Sequence, residues 1–464
     1  MYQTKKIASL LIFFGIIIFA FLLRTPTFNL PHFRGDEHHY ISLAFKLETQ
    51  GIDGYNLRGV DIYSAKGYPE LLTIVPAKDK GHILKGLEQI GVTYYDEPLH
   101  HMPWGFPAAL IISHKIFARN EPYRMLTAND MEIIKQNPPG VGLRNFRFPK
   151  EIVNQQFYAL FLPLFFSLAT IALIYFIVMN LYNDKWVAFT AMFLMAISPI
   201  DLLTSQKIWA DEQTLFFAVL AIFLYILSVK KNISLLAFLA GISCGISTIT
   251  KQNGGAIAGL AIILWHIVSN ADNLFKKETC LKTIFDKKLI LFFLGTFLSA
   301  GYWFYKVIKI YGEPLYRPRQ ENLLESAKIG WFKIVQSRPK YLYLVGIPYQ
   351  NPLFLLAYIS PIWLYLNKKL FKSHCMPVLW LAGAFYLASK FFTGEHRYMI
   401  TAYPAFAMLS AFVSNRMRLW IDNFMGYKTG TVLFFSILIF SIFWSVPMAY
   451  ETLYHVGALI LKPF

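Results

Sequence analysis

The run IASLLIFFGIIIFAFLL over residues 7–23, followed by GDEHHY over residues 35–40, decides the fold. The first stretch carries no charge and approaches the roughly 20 apolar residues that cross a hydrocarbon core. Asp36 and Glu37 then stand just beyond its end. Charges that close to hydrocarbon are costly and point to a function at the membrane boundary. The competing reading is a solvated helix start, with the acids capping the helix and facing its dipole. Lys5-Lys6 and the apolar run look like a signal peptide, but Arg24-Thr25-Pro26 makes a poor cleavage site. An uncleaved first span is expected.

Comparable apolar runs recur at about 153–179, 186–203, 212–229, 233–250, 253–268, 289–309, 350–366, 377–392, 398–414 and 430–449. The chain is 56% hydrophobic and 15% charged, against about 25% charged in soluble domains. The expected fold class is an all-α polytopic membrane protein with about eleven transmembrane helices, one integral membrane domain over 1–464. Trp104–Phe117 is apolar but short, with Pro103 and Pro107 at its start, so it is expected to lie at the interface without spanning. Eleven spans with a cytoplasmic N-terminus gather Lys5-Lys6, Lys185, Lys230-Lys231, Lys276–Lys288, Lys368-Lys369-Lys372 and Arg416-Arg418 on the inner side. That is the positive-inside bias. It accounts for the net charge of +17 without nucleic acid. A twelfth span at Trp104–Phe117 would put most of these lysines outside.

The same topology gathers Asp36-Glu37, Asp211-Glu212, Lys251 and Gly394–Tyr398 on the outer face. Two long outer segments, 26–152 and 310–349, join them. Within the first, Ile41, Ala44, Phe45 and Glu48 follow helical spacing, which predicts an interfacial helix with the carboxylates at its N-terminal end. The second is rich in Arg and aromatics, including Arg317 and Arg319. Arginines suit an anionic headgroup or sugar phosphate, although for most of the tyrosines there a membrane-anchoring belt is the better reading. Cys244, Cys280 and Cys375 have no paired spacing and fall in the membrane or on the inner side. The chain carries no internal repeat, P-loop, dinucleotide fingerprint or GxSxG.

Candidate roles follow from residue chemistry. Asp36 and Glu37 are candidates for a general base or the partner of an ionised substrate group, and Asp211 for a second carboxylate at the outer end of a span. Lys251 and Arg397, joined by Arg317 or Arg319, are candidates to hold a phosphate. His101 and Tyr398 are further candidates for ligand contact. Each has a plainer reading: Asp211 as the acid of a helix start, Lys251 as a snorkelling side chain, Arg397 as a partner of Glu395. His38-His39 and His100-His101 are adjacent pairs without ligand spacing, so no metal site is expected; a divalent metal is possible but not required.

The order of these features resembles the membrane glycosyltransferases of the GT-C fold. The features are an acidic pair after the first span, a Pro-containing apolar segment before the second, Ser198-Pro199 with an acid a dozen residues on, Thr250-Lys251-x-x-Gly254, and Arg397-Tyr398 before Pro404. The likeness is greatest to the protein O-mannosyltransferase and lipid A aminoarabinose transferase group. It implies a polyprenyl-phosphate-linked sugar donor and transfer to a hydroxyl acceptor on the outer face. It also implies that Asp36 and Asp211 match the family's loop acids and Lys251 its basic residue near the donor phosphate. Where aminoarabinose enzymes often carry Lys-Pro, this chain has Glu97-Pro98. Displacement of a lipid monophosphate would invert the anomeric centre. Two rival classes remain: a ligase or polymerase using a lipid-diphosphate-linked glycan, and a secondary transporter, which would place its charges near mid-span in matching halves.

Overall fold

The structure, a computed structural model, describes residues 2–28, 36–55, 102–118, 121, 123–124, 150–271, 286–312, 342–366, 374–389, 396–426 and 428–455. Helices account for nearly all of them, because backbone in hydrocarbon must satisfy its hydrogen bonds within the segment. In chain order they are α1 (Tyr2–Arg24), α2 (Asp36–Gln50), α3 (Gly105–Phe117), α4 (Lys150–Tyr182), α5 (Lys185–Ala196) and α6 (Pro199–Thr204). Next come α7 (Asp211–Lys231), α8 (Ser234–Thr250), α9 (Gln252–Ser269), α10 (Lys287–Tyr311) and α11 (Leu342–Gln350). The last are α12 (Leu356–Leu366), α13 (Met376–Ala388), α14 (Tyr403–Met425) and α15 (Thr429–His455). Among the described residues six helices, α1, α4, α7, α9, α10 and α15, are long and apolar enough to cross a membrane, and α3, α5, α8, α12 and α13 are shorter apolar helices.

Three expected spans are interrupted. The run 186–203 is split between α5 and α6 because Pro199 takes the first turn of α6 and Ser198 before it is extended (φ −62°, ψ 120°). The run 350–366 breaks at Asn351 (φ −147°, ψ 109°), ahead of Pro352; a 3-10 turn over Pro352–Leu355 leads into α12. The run 398–414 opens as a 3-10 segment, His396–Ala402, and only becomes α-helical at α14, with Pro404 in its first turn. The first half of α14, Tyr403–Asn415, is buried throughout. It is an interior post, packed by α5, α12, α13 and α15.

The other helices build around it. α4, α7, α8 and α10 pack as consecutive neighbours, and α9 sits on α7, α8 and α13. α1 leans on α4 and α5 from outside. Its last residue, Arg24, is fully buried and pairs with fully buried Asp201 of α6 at 2.7 Å. Ser167 of α4 hydrogen-bonds both, accepting from Arg24 Nε at 2.7 Å and donating to Asp201 at 2.5 Å. α2 and α3 pack on each other across the ends of this bundle. A small cluster of Leu43, Tyr55, Ile249, Ala300, Trp303 and Val307 seats α2 against α8 and α10. The helix expected from Ile41, Ala44, Phe45 and Glu48 is α2: Ile41 and Ala44 are fully buried.

Candidate active site

The 3-10 segment 396–402 lies where α6, α7, α9, α11, α13 and α14 converge. It presents Arg397 and Tyr398 to the N-terminal ends of α2, α7 and α9. Arg397 Nη1 donates to Asp36 Oδ2 at 2.5 Å. Lys251 Nζ donates to Asp211 Oδ1 at 2.6 Å. Tyr398 connects the pairs: its ring lies 4.5 Å from Lys251 Nζ and 5.5 Å from Arg397 Cζ. Its carbonyl accepts from Asn253 Nδ2 at 3.2 Å. Two acids, two cations and an aromatic ring far apart in sequence thus form one cluster.

Local sequence explains each placement. Asp36 is the first residue of α2, where the helix dipole favours a carboxylate. Asp211 is likewise the first residue of α7, and its side chain is only 1% exposed. Lys251 is extended (φ −156°, ψ 118°) between α8 and α9, so the chain reverses on it and its side chain turns toward α7. That reversal brings α9 hard against α7: a Cβ on Gly254 would lie 2.0 Å from Thr214 Cγ2. α3 closes the same corner, with Gly105 so near α8 that a Cβ would lie 2.6 Å from the Ile249 carbonyl oxygen. Gln213 Nε2 bonds both elements, reaching Gly105 O at 3.2 Å and Thr250 Oγ1 at 3.0 Å.

The electrostatics are strongly biased. Burial pushes the Asp36 carboxyl up, but the Arg397 charge, His39, the Arg397 hydrogen bond and Lys251 outweigh it and hold the group at about 2. Tyr40, one helical turn on, is buried against Phe106 with ring centroids 5.0 Å apart. Burial, and then the charges of Asp36 and Asp211, push its phenol well above the usual range.

Glu37 occupies a different position from Asp36. It is buried, and its Oε1 accepts from Ile208 N at 3.2 Å, binding α2 to the 205–210 turn. The next residue in that turn, Trp209, lies under Arg397, with the guanidinium 4.9 Å from its ring. Glu37 therefore supports the platform on which Arg397 rests. Glu212 is also buried and turned inward, where it meets Thr204 Oγ1. Arg317, Arg319 and His101 lie outside the described residues. Among the described residues, no group of three or more His, Cys, Asp and Glu is placed to hold a metal.

Trp209 and Tyr40 are the site residues that sequence reasoning missed. Tyr40 had a signal, the i, i+4 spacing from Asp36. Trp209, inside a short turn, had none beyond its proximity to Asp211.

Residues 125–311 match the sequence model of the family described as dolichyl-phosphate-mannose-protein mannosyltransferase. A comparison with curated proteins finds no match. Among solved structures, ArnT from Cupriavidus metallidurans in the apo state is 11% identical, with TM-score 0.52 over 92% of this chain and 63% of that one. The same protein bound to undecaprenyl phosphate is 11% identical, with TM-score 0.51 over 95% and 70%. The Archaeoglobus fulgidus oligosaccharyltransferase in its apo form is 13% identical, with TM-score 0.55 over 97% and 56%. The chain thus spans somewhat under two thirds of apo ArnT and just over half of the oligosaccharyltransferase. It is an integral, multi-pass membrane protein with the GT-C glycosyltransferase fold, and its segment 125–311 matches the protein mannosyltransferase family.

Proposed function

We propose that the protein transfers a sugar from a polyprenyl-phosphate donor to a hydroxyl acceptor, at the outer face of the membrane and with inversion. The observation that carries this reading is the convergence of Asp36–Arg397 and Asp211–Lys251 at helix ends. Acids and cations in contact at a membrane boundary supply both halves of a glycosyl transfer. The family match over 125–311 and the likeness to a structure holding undecaprenyl phosphate point the same way.

The chemistry is one displacement. The acceptor oxygen bonds to the anomeric carbon as the bond from that carbon to the phosphate oxygen breaks. The lipid phosphate leaves with the bonding electrons, and the hydroxyl proton passes to Asp36. Without substrate, both cations are spent on the two carboxylates. A donor phosphate competes for Arg397 and Lys251, as their forked and point-charge chemistry allows. The N-terminus of α9, next to Lys251, adds its dipole. As Arg397 moves to the phosphate, Asp36 loses the charge that depresses its carboxyl and becomes a competent base. Asp211 remains to orient the acceptor, and Tyr398 packs beside the sugar. Arg317, Arg319 and His101 stay candidates for donor and acceptor contact. This route needs no metal.

The test is transfer of labelled sugar from polyprenyl-monophosphate donors by purified protein in liposomes, wild type beside Asp36→Asn. Transfer that disappears in the variant while donor binding persists supports the reading. Transfer only from a lipid-diphosphate-linked glycan would replace it with the ligase reading.

A further inference from the structure

We propose that a groove between α1, α5 and α15, in the membrane half opposite the candidate active site, binds an acyl chain of an anionic phospholipid with Lys185 against its phosphate. The groove encloses about 790 Å³ and is walled by Ile12 and Ile16 of α1, Trp186 and Phe193 of α5, and Phe435 and Ile439 of α15. Twelve residues separate Ile12 from Arg24, roughly 18 Å of helix. The groove therefore lies well away from the end of α1 that meets Asp201 and leads to Asp36.

Its length suits an acyl chain. On α5 the lining runs from Lys185 to Phe193, about 12 Å at the helical rise. That is close to the ~15 Å hydrocarbon depth of one leaflet. A polyprenyl tail is longer than this and would overrun the groove.

The mouth selects the charge. Lys185 is exposed, and its Nζ donates to Ser9 Oγ at 3.1 Å. Among the described residues no carboxylate pairs with it. The neighbouring acid, Asp184, is engaged: it caps α5 by accepting from Trp186 N and Val187 N, and it accepts from Asn415 Nδ2 at 2.9 Å. Trp186 stands beside Lys185 at this end of the groove, with the Arg418 guanidinium 4.8 Å from its ring and Phe435 packed edge-on against it. Lys6, exposed on α1, adds a second positive charge nearby. A cation that meets no carboxylate among the described residues, above an apolar slot, calls for a lipid anion. One lysine at the membrane surface favours an anionic headgroup by about fivefold.

The experiment is native mass spectrometry of the full chain, released from micelles doped with equal phosphatidylglycerol and phosphatidylcholine of identical acyl chains. Wild type should retain phosphatidylglycerol about fivefold over phosphatidylcholine. Lys185→Gln should erase that preference. Ile439→Trp should displace both lipids; it fills the groove from a residue 54% exposed on α15, a change the fold tolerates. Equal retention of the two lipids by wild type would overturn the proposal. So would a preference that survives Lys185→Gln, undiminished retention in a normally helical Ile439→Trp, or a lipid-free dimer.

Discussion

The Arg397 guanidinium and the Asp36 carboxylate meet at 2.5 Å although 361 positions separate them. The contact joins the first helix after α1 to the segment that opens the buried post α14. It leaves Asp36 27% and Arg397 12% exposed. Both side chains are therefore partly open to a ligand.

Removing the base should stop transfer without removing binding. Asp36→Asn is expected to lower the transfer rate by about 10²–10⁴-fold. Donor affinity should hold or improve, because the Asp36 charge no longer competes with the phosphate for Arg397. Single-turnover rates beside equilibrium donor binding would check this, and unchanged turnover would remove Asp36 from the chemistry.

The same pair predicts a pH dependence of stability. The Asp36 carboxyl sits at about 2 in the folded protein against an ordinary 3.8. The folded state therefore binds fewer protons than the unfolded chain over that interval. Its stabilisation is complete above the ordinary value and is lost as pH falls through the folded one. Arg397→Gln should thus destabilise the protein equally at about pH 7 and about pH 5, with the gap to wild type closing between about pH 4 and about pH 2. Thermal melts in detergent across that range would show it. A gap that widens on acidification would contradict the assignment.

Glu37 should separate from Asp36 in its kinetics. Glu37→Gln keeps a carbonyl oxygen for Ile208 N and should retain most of the turnover. Glu37→Ala leaves that buried N–H unpaired, at a cost of about 1–3 kcal/mol, and loosens Trp209 beneath Arg397. Its expected signature is a raised donor KM. Equal losses in kcat for Gln and Ala would instead make Glu37 part of the chemistry.

The pair Arg24–Asp201 should behave as a buried ion pair. Arg24→Met alone strands the Asp201 charge and should cost about 3–5 kcal/mol. The double change Arg24→Met with Asp201→Leu should recover much of that loss. Melting of the single and double variants decides it.

The close approach at Gly254 gives a steric test. Gly254→Ala places a methyl group 2.0 Å from Thr214 Cγ2. Overpacking of that kind costs about 1–3 kcal/mol. It should also shift Lys251 away from Asp211 and weaken donor binding. Thr214→Ser removes the opposing methyl while keeping the hydroxyl that donates to Ala210 O at 2.8 Å, so it should rescue Gly254→Ala. Failure of that rescue would locate the strain elsewhere.

The sequence by itself determined that the long apolar runs are helical. Long uncharged runs such as 7–23 and 213–229 must be helical in hydrocarbon, where every backbone group needs an internal partner. It also marked Asp36, Asp211, Lys251 and Arg397, because charge at a span end is costly enough to stand out. Hydropathy could not show the breaks at Ser198, Asn351 and Ala402, since prolines interrupt a helix without interrupting an apolar run. Nor could it separate Asp36 from Glu37. Adjacent residues on a helix point about 100° apart, and only the packed turn 205–210 sets one toward Arg397 and the other toward Ile208 N. Which cation meets which acid was decided by tertiary structure alone, because the partners lie on helices whose contacts come from side-chain packing and leave no local trace in the chain.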